Sequence, residues 1–255
     1  MNFKVKEWRG QRVWIIGASS GIGAELARSL YVLGAKVALS ARNKVALQEV
    51  SLGFSNSMVL PFDMTQSNEV LTARDTILAN WAGIDLVLIV AGNYQKMRAE
   101  DFNLVAAKKM VDTNLNGPLN CLNAVLPVLL SQGKGGIGIV ASIAGLRGLP
   151  QALIYGPTKA ALINLCELLY LDLRPRGISV YLINPGFVAT PLTAKNDFTM
   201  PALISTTTAA QAIVHGIARG DFHIHFPKRF TNVLRLFSML PYRLYFWLIH
   251  RMTGL

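Results

Sequence analysis

Six short apolar runs constrain this chain more than any other feature: RVWIIGA, KVALSA, SMVLPF, IDLVLIVAG, GIGIVAS and ISVYLINPG. Most are apolar throughout rather than alternating, which is the pattern of strands buried on both faces. Amphipathic segments of helix length separate them. Right-handed βαβ units and one doubly wound parallel sheet with helices on both faces are therefore expected, an α/β fold. At 255 residues there is enough chain for one large domain with a sizeable core. No repeat, low-complexity stretch or linker interrupts the pattern before about Pro227. The division expected is a catalytic domain over residues 1–226 and an amphipathic helical extension over 227–255.

The first run leads into GASSGIG, which sets Gly17, Gly21 and Gly23 at the mouth of a helix expected from Ala24 to Leu33. Glycines there let the backbone turn tightly and approach a phosphate, whose charge meets free amide hydrogens at the positive helix end. Alone, the set also fits a structural turn. Such a dinucleotide site reads the adenosine ribose at the end of the second strand: an acid holds the 2'-hydroxyl of NAD, a basic residue the 2'-phosphate of NADP. That strand ends LSARNK, with no acid from Lys36 through Gln48. Arg42 is the expected phosphate contact, and Ala41 stands in the place of an NAD-selecting acid, so NADP(H) is expected over NAD(H).

In YGPTKAAL, Tyr155 and Lys159 stand four apart at the start of a helix running to about Leu173, on one face. Pro157 fits only if that helix has just begun. Tyrosine ordinarily ionises near pH ~10. A nearby ammonium and a positively charged nicotinamide would each favour the phenolate, so Tyr155 is expected to have a lowered pKa and to exchange a proton with a carbinol oxygen. Ser142 closes the run GIGIVAS, where a hydroxyl at the carboxyl edge of the sheet can hold the reacting oxygen.

Taken together, these residues resemble the short-chain dehydrogenase/reductase family over roughly Gln11 to Phe226. The resemblance implies a Rossmann-like fold in which Ser19, Ser20 and Ile22 join the three glycines at the phosphates. Asp63 and Met64 of DMT would meet the adenine, and Ala91 and Gly92 of AGN would support the cofactor. Asn114 of NLNG would support a water relay from the lysine. Ser142 would orient the substrate oxygen, Tyr155 act as acid or base, and Lys159 bind ribose hydroxyls while acidifying Tyr155. In NPGFVAT, Pro185, Gly186, Val188 and Thr190 would hold the nicotinamide carboxamide. A homo-oligomer, dimer or tetramer, is expected with it. Three departures stand out: Ile16 for a common threonine, Ile89 and Val90 for a pair of asparagines, and Thr158 for a serine. The first two remove side-chain hydrogen bonds that stiffen the cofactor turn.

The function expected is interconversion of a ketone or aldehyde and an alcohol. The stretch after the sixth run resembles a substrate lid, and Phe187, Leu192, Phe198, Met200 and Leu203 favour a hydrophobic substrate. A dinucleotide-binding interaction or redox-sensing module without turnover is the alternative, against which the intact Asn114, Ser142, Tyr155 and Lys159 set argues. His223 and His225 of FHIHF share one side of a strand without a third ligand, so no metal is expected. Arg147 is read as a surface loop residue near the substrate mouth. Cys121 and Cys166 read as small core residues, and Trp8, Trp14 and Trp81 as packing residues. Nucleic acid is not an expected partner: the net charge of +11 comes with no stacking platform or recognition motif.

That charge is uneven. All fourteen acids lie at or before Asp221, whereas Lys228, Arg229, Arg235, Arg243 and Arg251 follow with no acidic partner. Around Pro241 the tail reads as two helices. Thr231, Arg235 and Ser238 line one face of the first, opposite Val233, Leu236, Phe237 and Leu240. Arg243, Trp247, His250 and Arg251 cluster on the second, opposite Leu244, Tyr245, Leu248, Ile249 and Met252. This is either a helix lying in a membrane interface or a cap on the enzyme or a partner subunit. The segment is too short and too charged to span. The amino-terminal MNFKVKEWRG has no apolar signal core. A cytoplasmic protein is the expectation, peripheral on the inner face of a membrane through residues 228–255 if the tail is an anchor rather than a cap.

Overall fold

The computed structural model describes residues 1–196 and 199–254, so Phe198 of the expected lid and Leu255 lie outside the described residues. The strands are β1 (Arg12–Ile16), β2 (Lys36–Ser40), β3 (Ser57–Val59), β4 (Leu86–Ile89), β5 (Gly135–Val140), β6 (Ile178–Pro185) and β7 (His223–Phe226). Among the described residues they form one parallel sheet in the order β3-β2-β1-β4-β5-β6-β7. The six apolar runs supply β1 to β6, and FHIHF supplies β7. The helices are α1 (Gly21–Val32), α2 (Lys44–Ser51), α3 (Ser67–Trp81), α4 (Leu104–Val111), α5 (Gly117–Gln132), α6 (Tyr155–Leu173), α7 (Thr206–Arg219), α8 (Lys228–Ser238) and α9 (Tyr242–Thr253).

Strand β1 shows why the runs are apolar throughout. Successive side chains point to opposite faces, so Val13 and Ile15 enter a core layer with Leu26 and Leu30 of α1 and Ile213 of α7. Trp14 and Ile16 enter the opposite layer with Ile77 of α3, Leu129 of α5 and Leu162 of α6. Neither face meets water, and a polar residue on either would be stranded. Where one is unavoidable it is paired: the Trp14 Nε1–H donates to Ser40 Oγ at 2.9 Å. Cys121 and Cys166 are buried thiols in the second layer, and burial pushes both up to about 12.

The chain leaves the β3 edge and re-enters beside β1, so β1 pairs with β2 on one side and β4 on the other. Loops after these strands diverge there and open a crevice at the carboxyl edge. Below it, Arg12 ties the strand bases together by an ion pair to Asp85 at 2.7 Å and a hydrogen bond to the Trp81 carbonyl at 2.9 Å. No helix among the described residues is long and apolar enough to cross a membrane.

Candidate active site

A cleft of about 620 Å³ occupies that crevice. Its floor is the turn after β1. Gly17 has φ +100°, and a Cβ there would meet the Ala91 backbone, with Ala91 Cα at 2.7 Å. A Cβ on Gly23 would overlap the Gly17 carbonyl. Both positions therefore admit only glycine, and the free amides of α1, which starts at Gly21, three residues before the expected Ala24, face the opening. At the positions of Ile16, Ile89 and Val90 the turn is held by main chain: the Val90 and Ala91 amides both donate to the Ile16 carbonyl, at 2.8 and 2.9 Å.

The expected cofactor residues Gly17, Ser19, Ser20, Gly21, Ile22, Gly23, Arg42, Asp63, Met64, Ala91, Gly92, Pro185, Gly186, Val188 and Thr190 all line this one cleft, as do Ser142, Tyr155 and Lys159. Arg42 is exposed and only loosely paired, 3.9 Å from Asp63. Asp63 is held from behind, its Oδ1 accepting from the Thr65 amide and hydroxyl. Asn43, Phe62, Thr113, Pro191, Leu192 and Thr193 also line the cleft and were not singled out from sequence as cofactor or catalytic residues. Of these only Asn43 carried a signal: it caps α2 by accepting from the Ala46 amide, as asparagine before a helix commonly does.

Asn114 does not line the cleft; it stands behind it. It sits in a π-helical turn, Asp112–Asn116, that bulges between α4 and α5. Its Oδ1 accepts from the Asn93 amide at 2.7 Å, and its Nδ2 donates to the Asn93 carbonyl and to Thr158 Oγ1. Thr158 in turn donates to the Tyr155 carbonyl at 2.8 Å. The serine-to-threonine departure thus keeps a hydroxyl that joins Asn114 to the first turn of α6.

Ser142 ends the β5 run, and its Oγ accepts from the Ala144 amide at 3.1 Å, leaving its proton to donate. Lys159 is buried at 3% exposure, its Nζ 2.9 Å from the Val140 carbonyl and 5.7 Å from the Tyr155 ring centre. Tyr94, which sequence reasoning passed over, stands edge-on to Tyr155 at 5.1 Å. The expected lowering of Tyr155 counted a charged nicotinamide beside it; the protein's own groups act in the other direction. Burial pushes the phenol up to about 12; the bond to Ser142 opposes that and Tyr94 adds to it. Burial outweighs the hydrogen bond from Ser142.

Burial likewise pushes Lys159 down to about 8 from the ordinary 10.5. Its depressed folded value means that the cost of burying the ammonium is present in full below pH ~8 and disappears as pH rises toward 10.5. The stability of the wild type relative to Lys159→Met is therefore expected to rise between about pH 8 and 10, by on the order of 2–3 kcal/mol. Urea unfolding of both proteins across that range measures it, and a flat difference would contradict the burial assignment.

One further residue departs from expectation. Arg147 is not a free loop arginine. Its Nη1 donates to the carbonyls of Phe237, Ser238 and Leu240 at 3.4, 2.9 and 2.5 Å, and its guanidinium lies over the rings of Tyr242 and Tyr245. His223 and His225 stand with ring centres 4.8 Å apart. His225 Nδ1 bonds Thr231 Oγ1 at 2.7 Å and its Nε2 accepts from Arg235 at 3.2 Å, so the ring is spent on holding α8. Burial, with His225 and Arg235 nearby, pushes His223 down to about 4. No group of three His, Cys, Asp or Glu among the described residues is placed to hold a metal ion. In the expected lid, Leu192 lines the cleft, Phe187 packs 5.7 Å from Phe230, and Leu203 faces solvent.

Comparison with known proteins agrees with this geometry. The chain is 34% identical over 231 residues to an uncharacterized oxidoreductase of Myxococcus xanthus, covering 89% of this chain and 91% of that protein. It is 32% identical over 206 residues to one of Staphylococcus epidermidis, covering 80% and 90%. The fold is shared with a short chain dehydrogenase from Burkholderia cenocepacia solved in complex with NADP, at a TM-score of 0.81 and 24% identity, over 91% of this chain and 94% of that one. It is shared also with the 3-ketoacyl-(acyl-carrier-protein) reductase from Brucella melitensis complexed with NADH, at 0.79 and 22%, over 86% and 98%. The family model described as short chain dehydrogenase matches residues 11–200, the span that holds the glycine turn, Ser142, Tyr155 and Lys159. That match spans most of the chain and both relatives are oxidoreductases, so the chain belongs to the short-chain dehydrogenase family.

Proposed function

We propose that this oxidoreductase uses NADP(H), in preference to NAD(H), to interconvert a ketone or aldehyde and the corresponding alcohol on a hydrophobic small molecule. The observation that carries the reading is that Ser142, Tyr155 and Lys159 open into the same cleft as the glycine turn and Arg42. The residues fit a nicotinamide dinucleotide: Gly17 and Gly23 form a cradle that any Cβ would fill, beneath the amino end of α1.

In this reading the bound dinucleotide supplies or accepts a hydride at the substrate carbon. Gly17, Ser19, Ser20, Gly21, Ile22 and Gly23 bind its phosphates, Asp63 and Met64 its adenine, and Ala91 and Gly92 line its path across the sheet. Pro185, Gly186, Val188 and Thr190 hold the carboxamide end, and Lys159 the ribose hydroxyls. Ser142 donates to the reacting oxygen. Tyr155 gives that oxygen a proton during reduction, and a phenol held near 12 is kept protonated for that task at neutral pH. Asn114, through Asn93 and Thr158, keeps the start of α6 in register. The hydrophobic preference is supported by Leu192 and Pro191 in the cleft wall.

Arg42 decides cofactor choice. Its exposed pairing with Asp63 is weak enough to yield to a 2'-phosphate. A charge-assisted contact of ~1.5–3 kcal/mol corresponds to roughly 10- to 100-fold in binding. Arg42→Ala is therefore expected to raise KM for NADPH by that factor while leaving NADH unchanged. Initial rates with both cofactors test it, and equal use of NADH and NADPH by the wild type would remove Arg42 from this role.

A further inference from the structure

Helix α8 is anchored by polar contacts and leaves apolar side chains open: Thr231, its one buried residue, bonds His225, and Arg235, itself exposed, donates to the same ring. On the apolar face Val233 and Leu236 meet solvent at 45% and 61% exposure, as does Met239 beyond the helix at 81%, while Phe237 and Leu240 are half-buried. The cause is local. His225 at the end of β7 offers two ring nitrogens to the helix that follows, and pairing them fixes which side of α8 turns inward.

Helix α9 also exposes apolar side chains. Tyr245 alone is driven into the protein, its hydroxyl donating to the Gly148 carbonyl at 2.6 Å, whereas Phe246 and Trp247 stand 59% and 55% exposed. Among them Lys228, Arg229, Arg243 and Arg251 are also exposed or half-buried, with no acid after Asp221 in the sequence to neutralise them. Apolar surface in a contiguous patch is unusual on an isolated soluble protein. The like charges on the patch disfavour a second copy of the chain, since pairing it with itself would bring cations together. They favour a surface that is anionic outside and apolar beneath.

We infer that the outer face of α8 and α9 docks on a lipid bilayer carrying anionic phospholipid. The face borders the substrate mouth. Phe230 packs beside Phe187 and Gly186 of the segment after β6, and Arg147, five residues beyond Ser142, holds the α8–α9 junction from the other side. A docked molecule turns that mouth toward the apolar phase, where a hydrophobic carbonyl compound would partition. Binding requires no turnover, so its test is independent of the reductase reading.

The experiment is flotation of the full-length protein with vesicles of phosphatidylcholine alone and of phosphatidylcholine with phosphatidylglycerol, alongside sedimentation velocity without lipid. The wild type is expected to float with the anionic vesicles, less as salt is raised. Phe246→Ser with Trp247→Ser, and separately Arg243→Glu with Arg251→Glu, are each expected to reduce partitioning roughly tenfold or more. All four positions are exposed, and unchanged thermal unfolding confirms that the variants fold. Failure of the wild type to float, or flotation of both double variants to the wild-type extent, overturns the proposal. So does a wild-type dimer that both variants dissolve while nothing floats, which would assign the face to a second copy.

Discussion

Tyr155→Phe is expected to lower kcat for NADPH-dependent ketone reduction by roughly 10³-fold, the range that a positioned proton donor contributes. The substitution removes one oxygen and keeps the ring that Tyr94 meets edge-on, so the α6 start and the cleft wall persist. Cofactor affinity, followed by fluorescence titration with NADPH, is expected to change by only a few fold, because the glycine turn and Lys159 are untouched. Chemistry and binding should thus separate. A variant that keeps wild-type turnover would show that the proton comes from elsewhere. One that loses NADPH binding as well would show that the phenol supports the cofactor rather than the reaction.

A single methyl group at Gly23 is expected to do comparable damage by another route. Its Cβ would overlap the Gly17 carbonyl, with the Gly17 carbonyl carbon at 2.9 Å and Ala18 Cα at 3.2 Å. These are backbone atoms in the tightest part of the turn, so the strain is not relieved by a rotamer change. Gly23→Ala should destabilise the protein by ~2–3 kcal/mol, in the range of overpacking elsewhere, which lowers Tm by several degrees in a chain of this size. It should also weaken NADPH binding by about 100-fold or more, since the amides that meet the phosphate must move. Gly148→Ala is the control: a Cβ there meets nothing within 4 Å, and neither quantity should change. If Gly23→Ala binds NADPH like the wild type, the turn is not the phosphate site.

The sheet and the cleft floor were legible in the sequence because their physics is local or periodic. Val13 to Ile16 are apolar at every position since both faces of β1 are covered, and so short a run between helix-length segments fits little but a strand in the middle of a sheet. The glycines announce close approach, and the four-residue spacing of Tyr155 and Lys159 announces a shared helix face. The parts that were not legible depend on partners distant in the chain. Nothing in the sequence around Arg147 reveals that its acceptors are three carbonyls some ninety residues on. Periodicity found both faces of α8 but could not say which turns inward, because it weighs apolar area and cannot see that His225 waits for Thr231 and Arg235. The rise that the protein's own groups give Tyr155 was not legible for the same reason. Charge is written in the sequence, whereas desolvation depends on what closes over the site.

The Arg147 clasp bears on how this protein can be altered. Cutting the chain after Pro227 would take away three of this guanidinium's acceptors and the tyrosine rings it lies on, at a point five residues from Ser142. The C-terminal helices are therefore not a cassette that can be exchanged or removed while the catalytic loop stays as it was. Any chimaera must transplant the loop and the tail as a matched pair, and a lineage that replaced one would have had to retune the other.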